Sequence, residues 1–310
     1  ECIGATMKLY QNDDIVINKE HTCCSLDDVE DARAVAHSMG MDHYVMNFKE
    51  HFKEQVMDKF VHCYECGITP NPCIDCNRYI KFDKLFERAK ILGCDYIVTG
   101  HYARIEEQGG KFVLKKAFDA TKDQSYVLYS MTQEQLAHTM FPLGNMRKTE
   151  VRQIAEKCGF VNADKPDSQD ICFVPNGDYA SVIELQTGKQ SAGGNFVDKQ
   201  DNVLGQHKGV IHYTIGQRKG LGISSSQSLY VCKICPKSGN VVLGSDADLF
   251  RTEADVSDFN WISGSVSQGE FRCKAKIRYR QPEQWATVTS IGENTVHIVF
   301  DEAQRAITPG

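Results

Sequence analysis

The chain has no apolar run approaching the roughly 18 residues a membrane helix requires, which argues against an integral helical membrane protein. Residues 1–10 carry the marks of neither a signal peptide nor a transit peptide. They read as a strand entered with no preceding turn, so the chain is expected to begin inside a domain. Internal repeats and low-complexity tracts are also missing, which removes solenoids and disordered linkers. A disulfide scaffold is excluded by arithmetic. The 310 residues hold 13 cysteines, an odd number, and several (Cys94, Cys158) fall in regular helix or strand patterns. A reducing, cytoplasmic setting follows. Basic excess is lacking too: the net charge of −6 counts mildly against a nucleic-acid partner, although local surface decides that question.

What is present is a soluble globular composition, 41% apolar and 25% charged, long enough for two or three domains. Strands expected at 3–9, 44–48 and 96–98 alternate with helices at 25–39, 51–62 and 80–92. Ser25 is the expected cap of the first helix, and Gly40 and Gly93 are expected stops. This order predicts an α/β domain with a parallel sheet and ligands at the strand C-terminal ends, where Gly100 and His101 fall. Two capped helices are expected at 132–140 and 149–158, a short one near 179–185, and a small-residue linker at 191–194. From about residue 195 the pattern turns to short strands, at 210–214, 229–235, 241–243, 272–280, 285–290 and 295–300, as in a small barrel.

Several clusters carry chemistry. Cys63-x2-Cys66-x6-Cys73-x2-Cys76, in an expected loop from Cys63 to Asn77, has the paired spacing of a zinc site, but the gap between pairs is short and Asn71-Pro72 favours a turn within it. Adjacent Cys23 and Cys24 mark a strand end more readily than a chelate. Cys172 follows the acidic turn Asp167-Ser-Gln-Asp170; flanked by Ile171 and Phe173 it suits a buried strand, and reactivity would require a nearby cation or helix N-terminus. Arg272, Lys274, Lys276, Arg278 and Arg280 would share one face of a strand, either a charge-protected edge or a phosphate-tracking surface. No acid interrupts 202–222 or 271–281. The glycine-rich, basic run His212-Tyr-Thr-Ile-Gly-Gln-Arg-Lys-Gly-Leu-Gly222 lacks the phosphate-loop lysine pattern.

Taken in order, Gly4–Lys8, Thr69–Pro72 with Cys76-Asn77, Thr99–Ala103, Lys122–Tyr126, Phe141–Gly144, Lys165–Ser168 with Ile171–Phe173, His212–Gly222 and Arg278–Gln281 span nearly the whole chain. Together they resemble the bacterial tRNA-specific 2-thiouridylases. The resemblance implies a PP-loop nucleotide-binding domain with a Rossmann-like parallel sheet (1–131), a small, mostly helical central domain carrying Cys172 (132–204) and a tRNA-binding C-terminal β-barrel (205–310). It implies ATP-dependent 2-thiolation of a tRNA wobble uridine, with Mg2+ accompanying the ATP. Cys172 would receive a persulfide sulfur from a donor protein, a sulfur carrier or cysteine-desulfurase relay. Cys76 would then attack that persulfide, freeing sulfur onto C2 and leaving a Cys76–Cys172 disulfide. Met7 and Gly100 would contact ATP. Asn71, Pro72 and Cys73 would line the target base, and His101, Lys122, Asp123, Gln124, Arg278 and Tyr279 would touch tRNA.

Three departures from that pattern stand out. The family's Ser/Gly/Asp phosphate loop is expected just before Glu1, and a last strand just after Gly310. Cys73 stands where several members carry an acidic residue; Asp75 would share its face if the segment were extended. Cys73 also opens a second route, an iron–sulfur cluster on Cys73, Cys76 and Cys172. A third reading is a non-catalytic, zinc-stabilised RNA-binding protein.

Overall fold

The computed structural model describes residues 1–10, 26–164, 171–174, 177–264 and 269–310. Ser25, Cys23, Cys24 and the Lys165–Asp170 turn lie outside the described residues. The described chain divides into two compact units. One comprises Glu1–Asp58, Pro72–Asp178 and Ile262–Gly264; the other comprises Lys59–Asn71, Tyr179–Trp261 and Ser265–Gly310.

In the first unit, β1 (Ile3–Lys8) and β2 (Asp42–Asn47) pair in parallel from Ile3↔Asp42 to Lys8↔Asn47. The helix Leu26–Ser38 makes the crossover that parallel pairing demands, and Gly40 ends it at φ 67°. A second parallel pair joins β3 (Ile97–Val98) to β6 (Thr139–Met140). Between these lies an antiparallel hairpin, β4 (Ala103–Gln108) and β5 (Lys111–Lys116). Its turn is Gly109-Gly110, both at positive φ, as a tight two-residue hairpin loop requires. The core packs Phe82, Phe86, Ile97, Ala103, Leu128, Met131, Leu136 and Phe141 together.

The second unit carries two four-stranded sheets. One runs in the order β8 (Val203–His207), β7 (Gly194–Val197), β10 (Asn240–Gly244), β9 (Tyr230–Cys235), over Phe196, Tyr213, Val231, Val241 and Leu243. The other runs β11 (Phe250–Ser257), β14 (Thr295–Arg305), β13 (Gln284–Gly292), β12 (Glu270–Ala275), over Val288, Val296, Ile298 and Phe300. Tyr64 and Tyr179 stack at 5.8 Å, with Phe60 beside both, joining Lys59–Asn71 to the helix Tyr179–Thr187 of the same unit.

Four expected elements are corrected. The loop from Cys63 to Asn77 is mostly helix: helical Lys49–Phe52, Lys53–Met57 and Asp58–Glu65 run consecutively, and Pro72 opens a second helix. A proline there fixes φ for entry and forfeits only an amide that has no intrahelical partner. The 132–140 helix shrinks to Gln133–Ala137; a capping box from Thr132 and Gln135 starts it, and His138 leaves helical geometry. Residues 210–214 form a 3-10 turn, Val210–His212, rather than a strand. The basic strand stops at Ala275, and Gln281 donates back to the Arg278 carbonyl in a turn. Among the described residues, no helix is long and apolar enough to cross a membrane.

Candidate functional site

The helix opened by Pro72 is wound in three stretches: Pro72–Asp75 as α, Cys76–Lys84 with the wider π pitch, and Leu85–Ile91 as α. The Leu85 amide accordingly donates to the Ile80 carbonyl, five residues back. Such wide turns cost packing and recur at functional positions. Asn77 is buried there and donates to the Val127 carbonyl at 3.0 Å. Cys73 and Cys76 therefore sit in the first turns of a helix, not in a loop. Asp75 does not share the face of Cys73, because residues two apart on a helix point nearly opposite ways; Asp75 is buried while Cys73 keeps an exposed edge. The protein packed around Cys73 nonetheless raises its thiol pKa by desolvation, with the Lys81 charge pulling the other way.

A cavity of about 500 Å3 opens in the same unit. Met7 of β1, Met46 of β2, Gly100 and Thr99 beyond β3, and Lys81 and Leu85 of the helix line it. Strand C-terminal ends are where an α/β unit is expected to hold ligand. A methyl on Gly100 would touch only Leu143, at 3.6 Å, so the backbone there stays open to a flat group. The volume and the mixed lining suit a nucleoside.

His101 and Gln124 also line this cavity. The His101 ring is buried, 5.6 Å from Phe141 and 5.9 Å from Phe82. Burial first, and the Lys81 charge second, push its pKa down to about 3. The Lys81 ammonium lies 3.5 Å from Nε2 and can only donate, so Nδ1 carries the proton and donates to Thr99 Oγ1 at 2.7 Å. His101 is a fixed neutral ring at neutral pH. Gln124 exchanges two bonds with the backbone of Tyr102: its side-chain oxygen accepts from the Tyr102 amide at 2.9 Å, and its own amide donates to the Tyr102 carbonyl at 2.8 Å.

Cys172 lies in a turn rather than the buried strand its neighbours suggested, the Val174 amide donating to the Ile171 carbonyl. Its backbone is held firmly. Tyr10 donates its hydroxyl to the Cys172 carbonyl at 2.6 Å, and Phe173 buries its ring edge-on against Phe52, 5.7 Å away. Both Cys76 and Cys172 are half-buried thiols, and neither is in a disulfide.

Three family models match the chain: the tRNA methyl transferase HUP domain over residues 1–176, the tRNA methyl transferase PRC-barrel domain over 184–245, and the aminomethyltransferase β-barrel domain over 251–310. Along its full length the chain is 50% identical to the tRNA-specific 2-thiouridylase MnmA of Clostridioides difficile (strain 630), covering 86% of that protein. It is 47% identical to the protein of the same name from Clostridium kluyveri (87% covered) and 47% identical to that from Symbiobacterium thermophilum (81% covered), again over the whole of this chain. The chain belongs to the tRNA-specific 2-thiouridylase family.

For a 2-thiouridylase-family chain, the remaining expected site residues are distributed unevenly. Asn71 immediately precedes the helix that buried Pro72 opens. Asp123 is occupied within its own loop, accepting from the Ala117 amide at 2.9 Å and the Ser125 hydroxyl at 2.8 Å, and the Lys122 amide donates to the Asp119 carbonyl. The five-cation strand face does not exist as one face. Arg272 is paired with Asp301 at 2.6 Å and Lys274 with Glu283 at 3.7 Å. Arg278 turns inward and donates to the carbonyls of Ala306 and Ile215 and to Thr308 Oγ1. Tyr279 is exposed, with the Lys276 ammonium over its ring.

Among the described residues no group of three or more His, Cys, Asp or Glu is arranged to hold a metal ion. Within the first unit, Cys73, Cys76 and Cys172 are not arranged as such a group; in the second, Cys66 meets His62 at 3.7 Å. Sequence reasoning missed Lys81, although Lys81, Leu85, Ala89 and Leu92 recur at helical spacing and all line the cavity. It also missed Tyr10, for which no local pattern gives a signal.

Proposed function

We propose that the protein is an ATP-dependent tRNA-uridine 2-sulfurtransferase that thiolates a wobble uridine through a Cys172 persulfide, with Cys76 as second thiol. The reading is carried by two thiols that belong to the same unit as a nucleoside-sized cavity, in a chain half-identical over its full length to a named 2-thiouridylase. The methyl-transferase wording of the family model and the relatives' names agree on tRNA; two thiols favour sulfur as the transferred group.

Bound ATP would adenylate the C2 oxygen of uridine, making AMP the leaving group. The chain's own residues do the rest. Met7 and the open backbone at Gly100 give the nucleoside an apolar, close-fitting wall. His101, neutral and fixed, offers the uridine a ring that adds no charge to the site. A base turned out of the anticodon stack reaches Asn71, Pro72 and Cys73 at the start of the helix that bears Cys76. Cys172, loaded by a sulfur-carrier protein, presents the persulfide from a turn anchored by Tyr10 and Phe173. The Cys76 thiolate bonds to the inner sulfur, the persulfide S–S bond breaks, and the outer sulfur passes to C2 as AMP departs. A Cys76–Cys172 disulfide remains, and a two-electron reductant of the cytoplasm resets it.

The test is nucleoside analysis of a tRNA transcript after incubation with protein, ATP and a sulfur donor. The Cys76→Ser and Cys172→Ser variants are each expected to give no 2-thiouridine above the level without enzyme. Full product from either variant would sink the relay.

A further inference from the structure

Residues 214–222 of the second unit form a turn whose backbone is almost entirely fixed. The Gly216 amide donates to the Val231 carbonyl at 2.8 Å, and the Val231 amide returns a bond to the Gln217 carbonyl at 3.0 Å. The Gln217 side chain closes the turn from within, accepting from the Thr214 amide and donating to the Lys219 carbonyl, both at 3.0 Å. Gly216, Gly220 and Gly222 stand at φ 89°, 77° and 66°, the left-handed region where a side chain would be strained. Leu221 is buried and pins the far end. What this frame exposes is Arg218 and Lys219.

A second turn, residues 276–281, is tied to the first. Arg278 donates to the Ile215 carbonyl at 3.1 Å and to the Ala306 carbonyl at 2.8 Å, joining both turns to the end of the C-terminal sheet. That turn exposes Arg280 and Tyr279. Among the described residues Arg218, Lys219 and Arg280 have no acidic partner, and neither turn contains an acid. The nearby Arg305 and Asp246 neutralise each other at 2.9 Å. Beside Arg218 lies a cleft of about 340 Å3 lined by the hydroxyls of Ser225, Ser226 and Ser228 and by Gln227. Uncompensated guanidinium and ammonium groups on a rigid backbone, with hydroxyl donors alongside, are the composition that positions RNA phosphates and riboses.

We infer that the 214–222 and 276–281 turns form one composite RNA-backbone site, in which Arg218, Lys219 and Arg280 contact tRNA phosphates while Arg278 is a positioning residue that staples the turns together. This rests on the tRNA reading above, and it moves the phosphate contact from Arg278 to its neighbours. A chain of net charge −6 binds a polyanion only through such a local surface.

The experiment is fluorescence anisotropy with the full chain and a labelled, unmodified tRNA transcript, titrated from about 50 to about 200 mM salt. Arg218→Ala/Lys219→Ala is expected to weaken binding about tenfold or more at the low-salt end and to flatten the dependence of log K on log salt by about 1 to 2. Its melting temperature should match the parent, since both side chains are exposed. Arg280→Ala should flatten the slope by about half as much, by the same one-contact rule. Arg278→Lys keeps the charge but loses the fork, so it should lower the melting temperature. Unchanged affinity and slope in both alanine variants, with the parent binding tRNA, would overturn this site alone. A parent that binds no tRNA would overturn it together with the proposed function.

Discussion

The His101 ring ties one side chain's protonation to the stability of the unit around it. Burial and Lys81 lower its pKa from an ordinary 6.5 to about 3. The unfolded chain takes up a proton near pH 6.5 that the folded chain refuses until about pH 3. This contribution is therefore intact above pH 6.5 and is lost progressively as pH falls, by up to about 1.4 kcal/mol per pH unit within that window. Urea unfolding at pH 7, 6 and 5 should show the loss, and His101→Gln should flatten it. Gly144 gives a second test at this scale. A methyl there would overlap the Ala103 carbonyl oxygen of β4, and backbone cannot step aside as a side chain can. Gly144→Ala should cost about 2 kcal/mol or more in equilibrium unfolding.

At the scale of elements, strong local chemistry was legible and long-range pairing was not. The Lys148–Lys157 helix follows the expected 149–158 closely, as do β9 and β10 the strands expected at 229–235 and 241–243. The β4–β5 hairpin went unread although Gly109-Gly110 announces its turn, because the flanking segments, Ala-Arg-Ile-Glu-Glu-Gln and Lys-Phe-Val-Leu-Lys-Lys, mix charges with apolar residues. The basic run 272–280 misled for the opposite reason. Its alternation is a faithful strand signal up to Ala275, but beyond it Arg278 donates to three part-buried acceptors, on Ala306, Ile215 and Thr308, that lie far from it in sequence. For the site, Met7, Gly100, His101 and Gln124 meet at one cavity, whereas the register of Lys81, which lines it too, follows a π-wound stretch that no sequence period encodes. The capping box offers a test here: Thr132→Ala should destabilise the Gln133–Ala137 helix by about 1 kcal/mol, measurable as a shift in the urea midpoint.

On the whole-molecule scale, the second unit is assembled from segments far apart in sequence. Lys59–Asn71 supplies Phe60 and Tyr64 to Tyr179, and the Thr69 amide donates to the Pro309 carbonyl at 2.9 Å. A fragment of residues 179–310 lacks those partners. It should melt several degrees below the same unit in the full chain and be cut faster near Tyr179, as limited proteolysis would reveal.

Three sulfurs, Cys73, Cys76 and Cys172, admit three possible pairings, and a relay that ended in the wrong one would stall. Exchange proceeds through the thiolate, so a thiol kept protonated is a poor competitor whatever its exposure. Burial raises the Cys73 pKa, against the pull of Lys81, so in the proposed relay Cys73 would compete poorly as a thiolate with Cys76 and Cys172. Iodoacetamide labelling near neutral pH, read peptide by peptide in a mass spectrometer, should find Cys73 reacting more slowly than an unperturbed thiol.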